Sequence, residues 1–337
     1  MSMDVIVVNH EEVPRLLPMG ECMEAMVGAL KAYSAGEALV PLRSIIWLPD
    51  KAGGLGLMPG YLGEPAALGV KIVTVFPKNE GTPFESHQGS VMLFDVENGR
   101  LLTIIDAGEI TAIRTAAVSG VATRLLARED AGDLALLGTG TQARTHLEAM
   151  LEARSIRRVR AWGKNRARAE RFVELESKNF GIAIELVSTA QEAVEDADII
   201  CTVTGSKEPI LCGEWIAPGT HINAVGACLP TTRELDADAV VKSKMFVDSR
   251  ESTLNEAGDF LFPQQAGLID ESHILGELGE VLGGSVPGRR SEDDVTLFKS
   301  LGLAIEDLAS AHVIYTKALR ESIGTTVTVG GLRREAN

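Results

Sequence analysis

The segment Gly138-Thr-Gly140-Thr-Gln-Ala143 follows the apolar run that opens at Asp133 and leads directly into helix-forming Arg144 to Arg154. A GxGxxA turn between a strand and a helix is the context in which a backbone binds a dinucleotide. Gly138 permits the tight turn, Gly140 admits a pyrophosphate to the backbone, and Ala143 lets the helix pack close against the strand. Thr139, Thr141 and Gln142 complete the expected cofactor-binding turn. The next strand, Arg157 to Trp162, is followed by Gly163, Lys164, Asn165 and Arg166, with no acid before Glu170. An NAD-type site places a carboxylate there to bind the ribose hydroxyls. With Trp162, Lys164, Asn165 and Arg166 in its place, the strand end suits a 2'-phosphate, so NADP(H) is expected ahead of NAD(H).

A dinucleotide site directs attention to hydride transfer, in which the cofactor carries the hydrogen while the protein orients the substrate and manages a proton. Three cations stand in apolar company: Arg43 within Leu42 to Leu48, Lys71 within Gly69 to Val75, and Arg114 within Thr111 to Val118. Singly, each reads as a solvent-facing strand lysine or a surface arginine; together they are the unusual feature. Two guanidinium groups would fork onto a substrate carboxylate, and a partly desolvated lysine would orient it and pass a proton. His87, in Ser86-His-Gln-Gly89, is a further candidate donor, set against the reading of a structural histidine beside a glycine turn. There is no GxSxG elbow to support a serine nucleophile.

Positioning these groups requires two domains. Residues 17–35 carry Cys22, Met23, Met26, Val27, Leu30 and Tyr33 at helical spacing. Short runs rich in Val, Ile and Leu at 42–48, 68–76, 90–96 and 101–105 predict an N-terminal sheet. Asp106 and Glu109 have capping-box spacing, and the Ala-rich stretch Ile110 to Ala127 predicts a long helix linking the two domains. Strands then alternate with helices at 134–137, 159–162, 182–187, 198–203, 221–225 and 245–248, the pattern of a doubly wound parallel sheet of Rossmann type. A helix over 302–320 is expected to return to the first domain, and the charged tail Gly330 to Asn337 to fray. The expected division is residues 1–116 with 303–330 as an α+β domain carrying the three candidate cations, and 117–302 as the nucleotide-binding domain.

Composition excludes several classes. Of 337 residues, 45% are hydrophobic and 23% charged, the balance of an ordinary folded chain. The net charge of -15 repels phosphate backbones and anionic lipid heads, so neither nucleic acid nor membrane is an expected partner. The longest uncharged stretch near the length of a membrane span, Trp215 to Thr232, is broken by Pro218, Gly219, His221 and Pro230. Cys22, Cys201, Cys212 and Cys228 form no CxxC pair, so no metal site is expected and a reduced, cytoplasmic setting fits. Asp4, Glu11 and Glu12 stand where a signal peptide would carry basic and then apolar residues.

Several segments in fixed order resemble the ornithine cyclodeaminase and mu-crystallin family: Leu57-Met58-Pro59-Gly60, Gly69-Val-Lys71 with Phe76-Pro77, Ile110 to Ala117 around Arg114, the turn Gly138 to Ala143, Ala224 to Ala227 with Arg233-Glu-Leu235, and Phe298 to Gly302. The resemblance implies a homodimer in which Arg43, Met58, Lys71, Arg114, Cys228, Ser300 and Gly302 face the substrate, the last two as part of a segment closing over the nicotinamide. It implies further cofactor contacts from Thr115, from Thr202, Val203 and Thr204, and from Val225, Gly226 and Ala227. Cyclodeaminases of the family carry an acid just before Leu-Met-Pro and an Asp before the later proline. Here Gly56 and Cys228 occupy those places, and neither can bind a second amine or activate water. The ketimine-reductase branch is therefore expected: NAD(P)H-dependent reduction of a small cyclic 2-imino carboxylate, pyrroline- or piperideine-2-carboxylate, to the L-amino acid. The alternatives are an alanine or N-alkyl amino acid dehydrogenase, an ornithine cyclodeaminase, and a non-catalytic NADPH-binding protein.

Overall fold

A computed structural model describes residues 4–79 and 82–330. The tail expected to fray lies, beyond Gly330, outside the described residues. The chain forms two compact units, one of residues 1–114 with 303–337 and one of residues 115–302.

The first unit contains strands β1 (Asp4–Val8), β2 (Ala38–Leu39), β3 (Ser44–Trp47), β4 (Gly54–Leu62), β5 (Ala67–Val75), β6 (His87–Phe94), β7 (Leu101–Asp106) and, from the chain's end, β16 (Thr325–Thr328). They form one sheet in the order β16-β1-β7-β6-β5-β4-β2, with β3 also paired to β4. Helices α1 (Val13–Leu16), α2 (Met19–Ser34) and α11 (Ala304–Glu321) belong to the same unit. In β4 and β5 burial alternates with the two-residue period of a strand, placing Gly56, Met58, Gly60, Gly69 and Lys71 on one inner face. Helix α11 covers that face. A Cβ on Gly60 would lie 3.0 Å from the Ala304 Cβ, and one on Gly69 would lie 2.7 Å from Leu308 Cδ2. Only with bare glycine at this register pair can the helix sit so low.

Helix α3 (Ala107–Leu126) runs from the first unit into the second without a break. The Asp106 carboxylate caps it by accepting from the Glu109 N–H at 3.0 Å.

The second unit is a parallel sheet of β8 (Asp133–Leu137), β9 (Arg158–Trp162), β10 (Ile184–Leu186), β11 (Ile199–Thr202), β12 (His221–Ala224), β13 (Lys244–Val247), β14 (Ile274–Glu277) and β15 (Thr296–Lys299). Their order is β10-β9-β8-β11-β12-β15-β13-β14. The helices are α4 (Thr141–Ala153), α5 (Arg166–Phe180), α6 (Ala190–Val194), α7 (Ala237–Val241), α8 (Arg250–Glu256), α9 (Gly258–Gln265) and α10 (Leu278–Leu282). The chain begins in mid-sheet at β8, winds outward to β10, then crosses back to β11. That reversal leaves a crevice at the carboxyl ends of β8 and β11, the place where open α/β sheets bind ligands. Buried Leu137, Ile200, Ile222, Val247 and Leu297 pack the sheet face.

Candidate active site

In the first unit the cations gather. Beside the Gly60–Gly69 pair, the next pair on the same face is Met58 opposite Lys71. Because Ala304 and Leu308 rest on the glycines, the first turn of α11 lies over Lys71. Asp307 Oδ2 stands 2.7 Å from Lys71 Nζ, and Oδ1 stands 3.0 Å from Arg114 Nε. Glu306 Oε2 takes Arg114 Nη1 at 2.6 Å. Both carboxylates are fully buried, and the two cations nearly so.

The electrostatics follow from this packing. Burial pulls Lys71 down to about 8, against the opposing pull of Asp307; Arg114 and Arg43 add to the lowering. Burial also works against the charge of Arg114, but Asp307 and Glu306 outweigh it and raise its pKa further. Arg43, half-buried, immediately precedes β3 rather than lying inside it as its apolar neighbours suggest. His87 opens β6, with Nδ1 3.1 Å from Ser86 Oγ. Part of this residue is open to solvent, yet desolvation of its ring and the charge of Lys71 lower its pKa. Arg114 uses two of its nitrogens on α11, so it has less of its fork left for a ligand than a solvent-facing arginine would. Glu306 and Asp307 were not anticipated from sequence, where they read as ordinary acids of a helix's first turn.

In the second unit the glycine turn is built for an anion. Gly138 adopts φ +127°, and a Cβ there would lie 2.7 Å from the Val203 carbonyl oxygen, so no other residue fits this crossing of β8 and β11. Gly140 caps α4 without a side-chain bond, which leaves the first N–H groups of a helix opening at Thr141 directed outward. Ala143 is fully buried, as close packing requires. Gln142 Oε1 and Thr202 Oγ1 are buried with no hydrogen-bond partner among the described residues. Two unsatisfied polar atoms beside an uncapped helix fit a pyrophosphate-bearing dinucleotide.

At the end of β9, Thr139 packs so close to Gly163 that a Cβ there would lie 2.7 Å from Oγ1. Trp162 is half-buried, and Lys164 is exposed. Asn165 caps α5 by accepting the Arg168 N–H at 3.0 Å, and Arg166 pairs with Glu170 at 2.9 Å. Arg168, which sequence reasoning passed over, reaches back toward the turn: a Cβ on Gly140 would lie 3.3 Å from its Nη2.

Buried carboxylates tie down the remaining loops of this unit. Glu234 accepts from the Thr204 N–H and Oγ1 at 2.6 and 2.7 Å and from the Gly226 N–H at 2.7 Å, joining the ends of β11 and β12. Asp259 holds Lys299 at 3.0 Å. Val203, Val225 and Ala227 are buried between these bonds, as is Thr115 on α3. Cys228 is half-buried, its thiol donating to the Val225 carbonyl at 3.3 Å. In the segment Ser300 to Gly302, the Ser300 N–H bonds to the Ala224 carbonyl and Asp248 takes the N–H groups of Leu301 and Gly302.

A parallel sheet with a phosphate-binding turn at its switch point, joined in one chain to a buried lysine–arginine cluster, defines an α/β protein of the dinucleotide-binding class. The chain belongs to the ornithine cyclodeaminase/mu-crystallin family, whose profile matches residues 3–322. It is 42% identical over 293 residues to the ketimine reductase mu-crystallin of Mus musculus, covering 87% of this chain and 90% of that one. It is 36% identical over 324 residues to the Delta(1)-pyrroline-2-carboxylate reductase of Bacillus cereus, covering 96% and 99%. Among solved structures it resembles Thermococcus litoralis Delta(1)-pyrroline-2-carboxylate reductase in complex with NADH and L-proline. The TM-score is 0.94 and the identity 42%, with 96% of this chain and 100% of that one covered.

Proposed function

We propose that this protein is an NAD(P)H-dependent imine reductase that converts a small cyclic 2-imino carboxylate, Δ1-pyrroline-2-carboxylate or Δ1-piperideine-2-carboxylate, to the L-amino acid. The observation that carries the reading is the buried ammonium of Lys71 beside Arg114 and Arg43, a group that is both a carboxylate ligand and, with its pKa brought down to about 8, a usable acid near neutral pH. Similarity to reductases of these imines selects the substrate class.

The turn of Gly138 to Ala143 would hold the pyrophosphate of a reduced nicotinamide dinucleotide, which would supply the hydride for the C=N carbon. Arg43 and the remaining nitrogen of Arg114 take the substrate carboxylate. Lys71 orients the ring and gives its proton to the imine nitrogen, and His87 returns a proton from solvent. Met58, on the same face as Lys71, lines the substrate's apolar surface. The first unit serves as the substrate-binding and dimerisation domain, and the second as the nucleotide domain. NADP(H) is the preferred cofactor in this reading, since Lys164 and Arg168 offer the strand end of β9 a positive charge and no acid stands there. The large apolar side chains exposed along β2 and β3, Leu39, Ile46 and Trp47 with Leu48, form the face for a second copy in a homodimer. A cytoplasmic setting suits the four free thiols.

The test is NADPH oxidation, with NADH in parallel, against both cyclic imino acids and pyruvate with ammonia, together with incubation of L-ornithine with NAD+. The reading predicts turnover of a cyclic imine, faster with NADPH. Turnover of pyruvate with ammonia alone would make the protein an alanine dehydrogenase, and ammonia release from ornithine without change in NADH would make it a cyclodeaminase. Sedimentation of the purified chain at the monomer mass would contradict the homodimer.

A further inference from the structure

Lys71 and Arg114 are brought together by two acids whose expense needs a reason. Moving charges out of water costs more than an ion pair ordinarily returns, and apolar side chains of similar volume would hold α11 to the sheet at least as well. The strands also give up two side chains, at Gly60 and Gly69, to let that helix descend until its carboxylates reach the cations.

We propose that Asp307 is a positioning residue: it fixes Lys71 Nζ in place and keeps it charged, so that Lys71 can hand its proton to the substrate nitrogen. The inference rests on the reading that Lys71 is the proton donor. Each Asp307 oxygen has its own cation, Oδ2 with Lys71 and Oδ1 with Arg114. Glu306 steadies Arg114 from the adjacent position on the helix. The carboxylate is therefore braced on one side while it holds the lysine on the other. A lysine stem has four rotatable bonds, and the ion pair to Asp307 at 2.7 Å anchors its ammonium beside a fixed carboxylate.

Charge makes the same demand. The groups facing Lys71 are Asp307 and Glu306 from α11, Arg114 from α3, Arg43 ahead of β3 and His87 at the start of β6. Arg114 and Arg43 both disfavour a proton on Lys71, as does burial itself; Asp307 is the acid in direct contact that opposes them. In the reduction, the hydride donated by the nicotinamide forms the C–H bond, the C=N π bond breaks toward nitrogen, and nitrogen takes the proton from Lys71. Lys71 is left neutral and regains its proton from solvent. Asp307 is chemically unchanged throughout, which separates it from a catalytic residue.

The experiment is an NMR titration of the full-length protein labelled with 13C at lysine Cε, with Lys71 assigned through Lys71→Arg, alongside kcat against pH with Δ1-pyrroline-2-carboxylate. An opposite charge at this range moves a pKa by about one to three units. Asp307→Asn is therefore expected to lower the Lys71 midpoint by at least about one unit and to shift the alkaline limb of kcat by the same amount. Asp307→Glu keeps the charge but displaces it by a methylene, so the midpoint stays while kcat falls about tenfold or more. An unmoved midpoint in folded Asp307→Asn overturns the proposal. If that variant does not fold, wild-type kcat in Asp307→Glu overturns it instead. A midpoint that shifts in a protein with no imine turnover refutes the proposed substrate and leaves the Asp307–Lys71 relation standing.

Discussion

In the proposed reaction Lys71 carries the chemistry, because its surroundings pull its pKa in opposite directions. Burial brings its pKa to about 8, so at neutral pH most molecules hold the proton that reduction consumes, and above that value the proton is lost. Accordingly, kcat for imine reduction should fall as pH rises through about 8, while oxidation of the amino acid, which needs Lys71 as base, should rise over the same interval; initial rates in both directions across pH check this. A flat reduction profile there would remove Lys71 from proton delivery. Lys71→Ala should lower kcat/KM about a hundredfold or more, with NADPH affinity by fluorescence titration unchanged, because the nucleotide turn lies in a different part of the chain. The three cations were legible in the sequence because charge inside an apolar run is conspicuous. Their acids were not. Glu306 and Asp307 open a helix, where carboxylates are favoured on dipole grounds alone, and nothing in a sequence marks that an acid pairs with an arginine 193 residues away.

At the scale of elements, the site depends on how low α11 sits. Gly60→Ala would put a Cβ 3.0 Å from that of Ala304, and the helix must rise by a few tenths of an ångström to relieve it. The expected result is a loss of kcat/KM of about tenfold or more, with a melting temperature lowered by only a few degrees, because the displaced turn carries Asp307 away from Lys71. Wild-type activity in this variant would show that the seat of the helix does not matter. The glycines that make the seat also hid it. The segment Gly54-Leu-Gly-Leu-Met-Pro-Gly60 carries three glycines and a proline, residues that strands disfavour, yet it forms seven of the nine residues of β4, paired along its whole length with β5. The nucleotide turn, by contrast, was readable in full, since its glycines, the strand before it and the helix after it all carry the same message. Strands β14 and β15 went unread because they are four residues each, with Gly276 in one and Lys299 in the other interrupting the apolar pattern.

For the whole molecule, a net charge of -15 does not oppose an anionic substrate, because potential inside a pocket is set by the groups that line it. Overall charge, being a sum over the chain, could not locate a cation cluster. The return of α11 to the first unit was expected, although periodicity by itself fits the helix equally well as the last of the second unit. Stability should depend on acidity through His146 and His221, which are fully buried in the second unit and bonded as neutral rings to Ser119 and Thr296. Desolvation lowers them to about 4 and about 3. A histidine whose folded pKa is depressed is neutral in the native state while the unfolded chain takes up protons below about 6.5, so stability is full above that pH and is lost as pH falls toward the folded values. Urea unfolding should register a loss on the order of 2 kcal/mol per histidine between pH 7 and about 4.5, and equal stability at the two would contradict their burial as neutral rings. The most direct test of the proposed chemistry follows one atom. With NADPH deuterated at both C4 positions and Δ1-pyrroline-2-carboxylate, mass spectrometry and chiral chromatography should find L-proline bearing a single deuterium at Cα for each NADPH consumed; proline without the label, or NADPH consumed without proline, would contradict hydride transfer to the imine carbon.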